Sequence, residues 1–331
     1  MKLLRFLLVL VVLAAAAAAG AAAWWLNRPL PLAADAVEVA IEQGTTPREI
    51  AQAWVRAGVQ TSPRLLYEWF RWSGESRKIR AGSYEINRGT TPVSLLNKMV
   101  RGDVTLAVVR IIDGWTFKQV RAEFAKADSL KPTTAAMSES EIMAALGEPG
   151  VPAEGRFFPD TYAYNKGSND IAVLRRAHRA MKNQLALAWE QRAADTPLKT
   201  IDEALILASI VEKETGSPAD RGKVAGVFVN RLRLGMPLQT DPSVIYGLGD
   251  AFDGNLRKKD LTTDGPFNTY TRGGLPPTPI AMPGKASLLA AVKPDPTKAL
   301  YFVSRGDGTS QFSDSLDAHN RAVSQYQRGG R

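Results

Sequence analysis

Thr200-Ile201-Asp202-Glu203-Ala204-Leu205-Ile206-Leu207-Ala208-Ser209-Ile210-Val211-Glu212-Lys213-Glu214-Thr215-Gly216 reads as one helix with a defined start and stop. Thr200 with Glu203 three residues on has the form of a capping box, and Ala204 to Thr215 are strong helix formers and apolar residues. Gly216 is a natural C-terminal cap. The last turn carries two carboxylates, which at ~100° per residue point to different faces. Leu207, Ile210 and Val211 lie within roughly 60° of Glu214 on the helical wheel, whereas Leu205, Ala208 and Ser209 form a smaller, wetter set around Glu212. Burial raises a carboxyl pKa, and so does the negative end of a helix. Glu214 is thus placed to stay protonated near neutral pH, which is what a general acid requires. The same pattern also fits two solvated last-turn carboxylates with Lys213 between them.

Composition narrows the chemistry. The chain has 331 residues, with 42 Lys and Arg against 33 Asp and Glu for a formal charge of +9, and is 45% hydrophobic. At ~150 residues per domain this allows about two domains with a real core. The lack of any Cys excludes a disulfide scaffold, an iron–sulfur cluster, a thiolate zinc site and a cysteine nucleophile. His178 and His319 are the only imidazoles, and H-E-x-x-H, G-x-S-x-G and P-loop motifs are all absent. Neither a metal nor a cofactor is expected, so the chemistry must rest mainly on carboxylates, hydroxyls and amides.

The N-terminus sets the address. Phe6 to Leu26 are 21 consecutive uncharged residues, nearly all apolar. As a helix at ~1.5 Å per residue they span a bilayer. Lys2 and Arg5 precede this run, and Trp24 and Trp25 fall at the level of an outer aromatic belt. Residues 1–5 then form a cytoplasmic tail, 6–26 a transmembrane anchor, and everything after Asn27 lies outside. A cleaved signal peptide is the competing reading, because the alanine run offers A-x-A sites. The anchor is preferred, since the apolar run continues into Trp-Trp-Leu. Both readings export the remainder, whose basic excess suits a membrane surface or an anionic cell wall and, in that compartment, not nucleic acid.

A strand–turn–helix unit repeats before the larger domain. Gly44-Thr45-Thr46-Pro47 recurs as Gly89-Thr90-Thr91-Pro92, each after an alternating apolar stretch and before an amphipathic run. Thr serves as N-cap and Pro as first helical residue, with Glu49 completing a capping box on Thr46. A looser copy runs from Val108 through Asp113-Gly114 to a helix near Phe117–Lys126. The first copy resembles the opening of a LysM-type glycan-binding module; a plain structural platform is the alternative. The expected organisation is a LysM-like subdomain at 37–104, a connecting strand–helix subdomain at 105–151 and a catalytic domain at 152–331.

Motifs in order carry a broader resemblance. Ala208-Ser209-Ile210-Val211-Glu212-Lys213-Glu214-Thr215 resembles the signature of the endolytic murein transglycosylases, the YceG-like family. Glu154-Gly155-Arg156-Phe157-Phe158-Pro159-Asp160-Thr161-Tyr162, Val227-Phe228-Val229-Asn230-Arg231-Leu232 and Leu238-Gln239-Thr240-Asp241-Pro242 are similar to further family segments. Ile245-Tyr246-Gly247, Asn268-Thr269-Tyr270, Gly274-Leu275-Pro276-Pro277, Pro279-Ile280 and His319-Asn320 follow in family order. Thr278 departs from the Gly that many members carry, which touches only loop shape.

The resemblance implies an α+β protein: a single-pass inner-membrane anchor, a small LysM-like half and a mainly helical, lysozyme-like catalytic domain with added strands such as Tyr301–Ser304. It implies that Glu214 is the catalytic residue. That carboxyl would protonate the bond between N-acetylmuramic acid and N-acetylglucosamine, then take the proton of the muramyl C6 hydroxyl as it closes on C1. The product is a 1,6-anhydromuramyl end. Peptidoglycan strands are the implied substrate, and penicillin-binding synthases are partners by family analogy.

Gln239, Asn268 and Tyr270 suit the gripping of acetamido and hydroxyl groups. Asn230, Glu154, Asp160 and Asp241 complete the expected substrate-binding set. Each also has a structural reading: Asp241 before Pro242 has the form of an N-cap, Asn230 could position Glu214, and Asp160 could anchor a domain junction. His178, in a basic helix face, is expected to be solvated, and His319 to serve local structure. A muramidase-like hydrolase using Asp160 or Asp241 as second carboxylate stays open, as does a non-catalytic wall-binding scaffold. A periplasm-active reporter fused after Arg331 should be active. Activity only of a cytoplasmic reporter would overturn the topology.

Overall fold

A computed structural model describes residues 2–328. Met1 and residues 329–331, the outer ends of the expected tail and catalytic domain, lie outside the described residues. Helix α1, Lys2–Asn27, runs continuously through Phe6. Within its Arg5–Asn27 stretch an 18-residue window reaches a mean hydropathy of 2.6, and the stretch is long and apolar enough to cross a membrane.

The chain divides into two compact units. The first comprises residues 1–107 with the short returns 128–130 and 163–168. After α1 it holds β1 (Ala36–Ile41), α2 (Pro47–Ala57), α3 (Pro63–Trp72), β2 (Gly82–Asn87) and α4 (Pro92–Arg101). β1 and β2 are antiparallel, with Ala36 opposite Asn87 and Ile41 opposite Gly82. Alternation turns Val37, Val39 and Ile41 inward onto Trp54, Phe70 and Leu95. Both Gly-Thr-Thr-Pro turns start helices as the sequence suggested. Thr46 and Glu49 form a capping box on α2, and on α4 Ser94 takes the place of the glutamate opposite Thr91.

The second unit comprises 108–127, 131–162 and the chain from Asn169 on. Its elements are residues 108–111 of β3 (Leu106–Ile111), α5 (Phe117–Lys126), α6 (Glu139–Leu146), residues 160–162 of β4 (Asp160–Asn165), α7 (Asp170–Glu190), α8 (Ile201–Glu214) and α9 (Pro218–Arg233). They continue with α10 (Asp241–Leu248), α11 (Lys258–Thr262), α12 (Lys285–Val292), β5 (Tyr301–Ser304), β6 (Ser310–Ser313) and α13 (Leu316–Val323). β3 pairs with β4, and β5 with β6. The stretch expected as a separate connecting subdomain contributes α5 and α6 to this unit. Gly114 N–H donates to the Met282 carbonyl at 2.8 Å and Met282 N–H returns to Trp115 at 2.7 Å, while Phe117 stacks on Phe157 at 4.9 Å between centroids.

At the centre of the unit is α8, buried on all sides from Ala204 to Val211 and packed by α7, α9 and α12. A helix apolar all round can only sit inside a core. Ser209, its one buried hydroxyl, donates to Ile206 O at 2.7 Å and accepts from Ile280 N–H at 3.0 Å. Gly155 closes the same region from outside: its φ is +78°, and a Cβ there would lie 2.5 Å from Cβ of Pro279.

Three local expectations are corrected. α8 ends at Glu214, with Thr215 already extended as C-cap, so Gly216 lies beyond the cap. Its N-terminal box is half formed: Thr200 accepts from Glu203 N–H, but the Glu203 carboxylate turns to Lys199 N–H. His178 is buried, because it shares a face of α7 with Leu174, Ala177 and Met181, and it lies 6.0 Å from the Phe157 ring.

Ser209→Ala leaves the Ile280 N–H buried without an acceptor, at a cost of about 1–3 kcal/mol. Urea unfolding should report a lowered midpoint; an unchanged midpoint would mean that the loop relaxes to find another partner.

Candidate active site

The last turn of α8 emerges from the core between two loops. Glu212 accepts the Gly284 N–H at 2.9 Å, and Lys213 Nζ reaches the Gly114 carbonyl at 3.3 Å. Glu212 is thereby tied to the loop that leads into α12, next to Asp113. The carboxyl of Asp113 is raised by burial and by the charge of Glu212, against the pull of Arg221. One step on, Glu214 points into a cavity of about 430 Å³ that it shares with Arg231, Gln239, Asp241, Tyr270, Tyr301 and His319.

A strained loop completes this cavity. Gln239 has φ of +51°, a left-handed conformation uncommon for a residue with a side chain. It is held by Gln239 N–H to Thr269 O at 3.0 Å and by Thr240 N–H to Thr269 Oγ1 at 3.0 Å. Ser243 Oγ donates to Thr240 O at 2.8 Å and sits 2.9 Å from Thr269 Oγ1. These bonds fix the Thr240 hydroxyl so that it donates to Oε1 of Glu214. Arg231 braces the loop from α9, donating to the carbonyls of Pro237 and Leu238 and, at 3.2 Å, to Gln239 Oε1. Its guanidinium lies 5.1 Å from the Tyr301 ring centre, and His319 stacks on the same ring at 5.2 Å.

The electrostatics follow from this enclosure. Burial pushes the Glu214 carboxyl up to about 7; the Thr240 hydrogen bond opposes this, the Asp241 charge adds to it and Arg231 opposes it. The Tyr270 hydroxyl donates to Asp241 Oδ1 at 2.5 Å, and burial together with that carboxylate raises the Tyr270 phenol above its ordinary value. Burial and the Arg231 charge lower the His319 imidazole, whose Nδ1 is buried with no hydrogen-bond partner among the described residues. At this edge of the unit one carboxyl holds a proton near neutrality and a second carboxylate stands beside it.

Of the residues selected from the sequence, Glu214, Gln239, Asp241 and Tyr270 meet in this cavity. Asp241 is the first residue of α10 rather than its N-cap, which is Thr240, and this frees its carboxylate for Tyr270. The other selected residues lie elsewhere. Asn230 donates to the carbonyls of Thr297 and Ala299, tying α9 to the strand that follows. Asn268 is buried, and its amide donates to the carbonyls of Asp260, Leu261 and Thr263. Asp160 is exposed at the start of β4, where its carboxylate accepts the Thr161 N–H. Glu154 is 6% exposed and accepts the Phe117 N–H at 3.0 Å and the Tyr246 hydroxyl at 3.2 Å. Burial raises its carboxyl to about 7.

Thr240, Arg231, Tyr301 and His319 were not selected. Thr240 and Arg231 lie inside motifs read for their neighbours Asp241 and Asn230, and only the observed helix phases show that they face Glu214.

Fold and site together define a mixed helix-and-sheet protein with one N-terminal apolar helix and a cleft built around a protonatable carboxyl. The chain belongs to the YceG-like family, whose sequence pattern matches residues 39–325. It is 30% identical over 307 residues to the endolytic murein transglycosylase of Bacillus subtilis, covering 88% of this chain and 84% of that one. It is 25% identical over 337 residues to the endolytic murein transglycosylase of Streptococcus pneumoniae R6, spanning 61% of that protein's length. A crystal structure of a YceG-like protein from Listeria monocytogenes superposes with a TM-score of 0.54 at 27% identity, covering 86% of this chain and 98% of that one.

The raised carboxyls give stability a definite pH dependence. For Glu214 and Glu154, with folded values of about 7 against an ordinary 4.5, the folded state keeps a proton that the unfolded chain releases. Their contribution is fully present below the unfolded value and is lost as pH rises through the folded one. Thermal melts should therefore show a smaller loss of stability between about pH 5 and pH 8 for Glu214→Gln than for the parent. Equal losses would mean that Glu214 titrates as an ordinary carboxyl.

Proposed function

We propose that this protein is a membrane-anchored peptidoglycan lytic transglycosylase, a carbon–oxygen lyase in which Glu214 is the single acid–base catalyst. The observation that carries the reading is the Glu214 carboxyl, protonated near neutral pH at the end of a buried helix and open to a polar cavity. The names of the similar proteins supply the polymer. Protonated Glu214 gives its proton to the glycosidic oxygen between N-acetylmuramic acid and N-acetylglucosamine as the C1–O bond breaks. The resulting carboxylate takes the proton of the muramyl C6 hydroxyl while that oxygen bonds C1. Glu214 ends as it began, and no water is consumed. Intramolecular attack also gains the large effective molarity of a pre-positioned group.

Gln239 and Tyr270 grip the sugars around that bond. Arg231 and Thr240 keep the carboxyl aimed and moderate its pKa. The strand, Gly-Thr turn and helix of the first unit support a LysM-like, glycan-holding role. α1 supports a single-pass anchor, with the enzyme outside the cytoplasm cutting within nascent strands beside a penicillin-binding synthase, and so setting glycan length during wall assembly. The mainly helical second unit supports a lysozyme-like assignment. One observation favours hydrolysis instead: Asp241 lines the same cavity as Glu214 and is a second carboxylate that could activate water.

Glu214→Gln keeps size but cannot donate the proton, so cleavage of purified, uncrosslinked glycan should fall about 10²–10⁴-fold. Glu212→Gln should cost far less. Mass spectrometry of the parent's product should show new ends lighter by one water than hydrolytic ends and unchanged by borohydride. Reducible ends carrying the full water would make the protein a hydrolase and Asp241 its second carboxylate.

A further inference from the structure

The first unit follows α1 without a linker. The helix runs to Asn27, and the Leu30 N–H already donates to the Thr90 carbonyl at 2.8 Å. Trp25, on the last turn of α1, packs against the core that holds Trp54, Phe70 and Leu95. Trp25 is also the residue that falls at the level of the outer aromatic belt, with Arg28 lying 4.7 Å over the ring of Trp24 beside it. One side chain can lie at the bilayer interface and against this core only if the unit itself touches the membrane surface.

Helix α3 carries the surface that such a contact would use. Leu66 and Phe70 point into the core, while Leu65, Trp69 and Trp72, spaced i, i+4 and i+7, form a stripe along one flank. That flank faces the exit of α1: Trp69 Nε1 donates to the Pro92 carbonyl at 3.0 Å, two residues from the Thr90 carbonyl that receives Leu30. Beyond Trp69 the stripe is open, with Leu65 50% and Trp72 78% exposed. Arg71, paired with Glu68 at 3.6 Å, also lies 5.8 Å from the Trp72 ring. An indole with a guanidinium beside it suits the headgroup layer, where the ring meets acyl chains and the cation meets phosphate. Arg28 with Trp24 makes the same pair at the end of α1. Arg64, Tyr67 and Glu68 give the opposite flank of α3 a polar character.

We propose that α3 docks on the lipid bilayer that α1 crosses, with Leu65 and Trp72 entering the boundary between headgroups and acyl chains and Arg28 and Arg71 meeting lipid phosphates. The proposal rests on the reading of α1 as a membrane anchor and adds a second contact. The first unit is then held to the membrane at two places and cannot turn freely about α1.

The test exploits the lack of Cys, since a single introduced thiol takes a label at one position only. Leu65→Cys, Trp72→Cys and, on the opposite flank, Arg64→Cys are each labelled with nitrobenzoxadiazole in the full-length protein. Thermal melting checks that each folds. Each is placed at one copy per nanodisc of phosphatidylethanolamine and phosphatidylglycerol. Emission from positions 65 and 72 should shift to shorter wavelength and be quenched by a lipid spin-labelled near its headgroup more strongly than by aqueous iodide, with the reverse at position 64. Labels at 65 and 72 as open to iodide as the one at 64 would overturn the proposal. Shielding that appears only with two copies per disc would also overturn it, by giving the stripe to a second copy of the chain. A label on Val12→Cys tests the anchor separately. Its quenching by a spin label at the bilayer centre upholds the anchor even where the α3 labels stay wet, whereas its absence sinks the anchor reading itself.

Discussion

Everything at the site depends on one constraint: a helix apolar on every side must be buried, yet its final residue must carry a carboxyl that reaches solvent. α8 meets both demands by stopping at Glu214, one residue after the exposed Lys213. The core residues 204–211 fix the axis and phase of the helix, and these determine where the carboxyl emerges. Packing on this scale is rigid enough to hold a side chain within the small tolerance that acid catalysis requires. The raised pKa follows from the same cause, since the protein that immobilises Glu214 also strips most of the water from it.

The surroundings divide the labour of keeping that carboxyl useful. Burial alone would raise it further, and the Thr240 hydroxyl and Arg231 pull it back toward neutrality. Neither is free to drift. Thr240 is locked by the Thr269 and Ser243 hydroxyls, and Arg231 spends most of its donors on backbone carbonyls. The left-handed backbone at Gln239 is the conformational cost of bringing this loop across the end of α8. Glu212, two residues earlier, shows the contrast: its carboxylate is committed to the Gly284 N–H and serves to hold the turn.

Local rules read well from the sequence and long-range ones poorly. The existence of α8 and both Gly-Thr-Thr-Pro helix starts depend on periods and caps that lie within a few residues, whereas the wetter stripe expected around Glu212 is not there, since Leu205, Ala208 and Ser209 are as buried as Leu207, Ile210 and Val211. Asn230 and Asn268 were misplaced for a different reason. An amide in a motif looks alike whether it faces sugar or orphaned carbonyls, and here Asn230 faces those of Thr297 and Ala299, far along the chain, while Asn268 faces those of Asp260, Leu261 and Thr263 just before it. Asp241 was read as a cap because Asp before Pro usually is one; the structure gives that position to Thr240. His178 was read from the charges beside it, when the positions three and four residues away decide which face a helical side chain occupies.

The division into units was hidden for the same reason. The catalytic domain was expected at 152–331, and the compact unit holding Glu214 starts at residue 108. Gly114 and Trp115 exchange backbone hydrogen bonds with Met282, across more than half the length of that unit in sequence. The Glu154 carboxylate accepts the Phe117 N–H, the first of α5, as a helix N-terminus favours. No pattern within a window reports such pairs. The early segment is therefore a wall of the active unit and not a spacer: it places Lys118 and Gln119 in the lining of a cavity of about 770 Å³ shared with Lys213, which a lone helical domain beginning at Pro152 would have left without one of its sides.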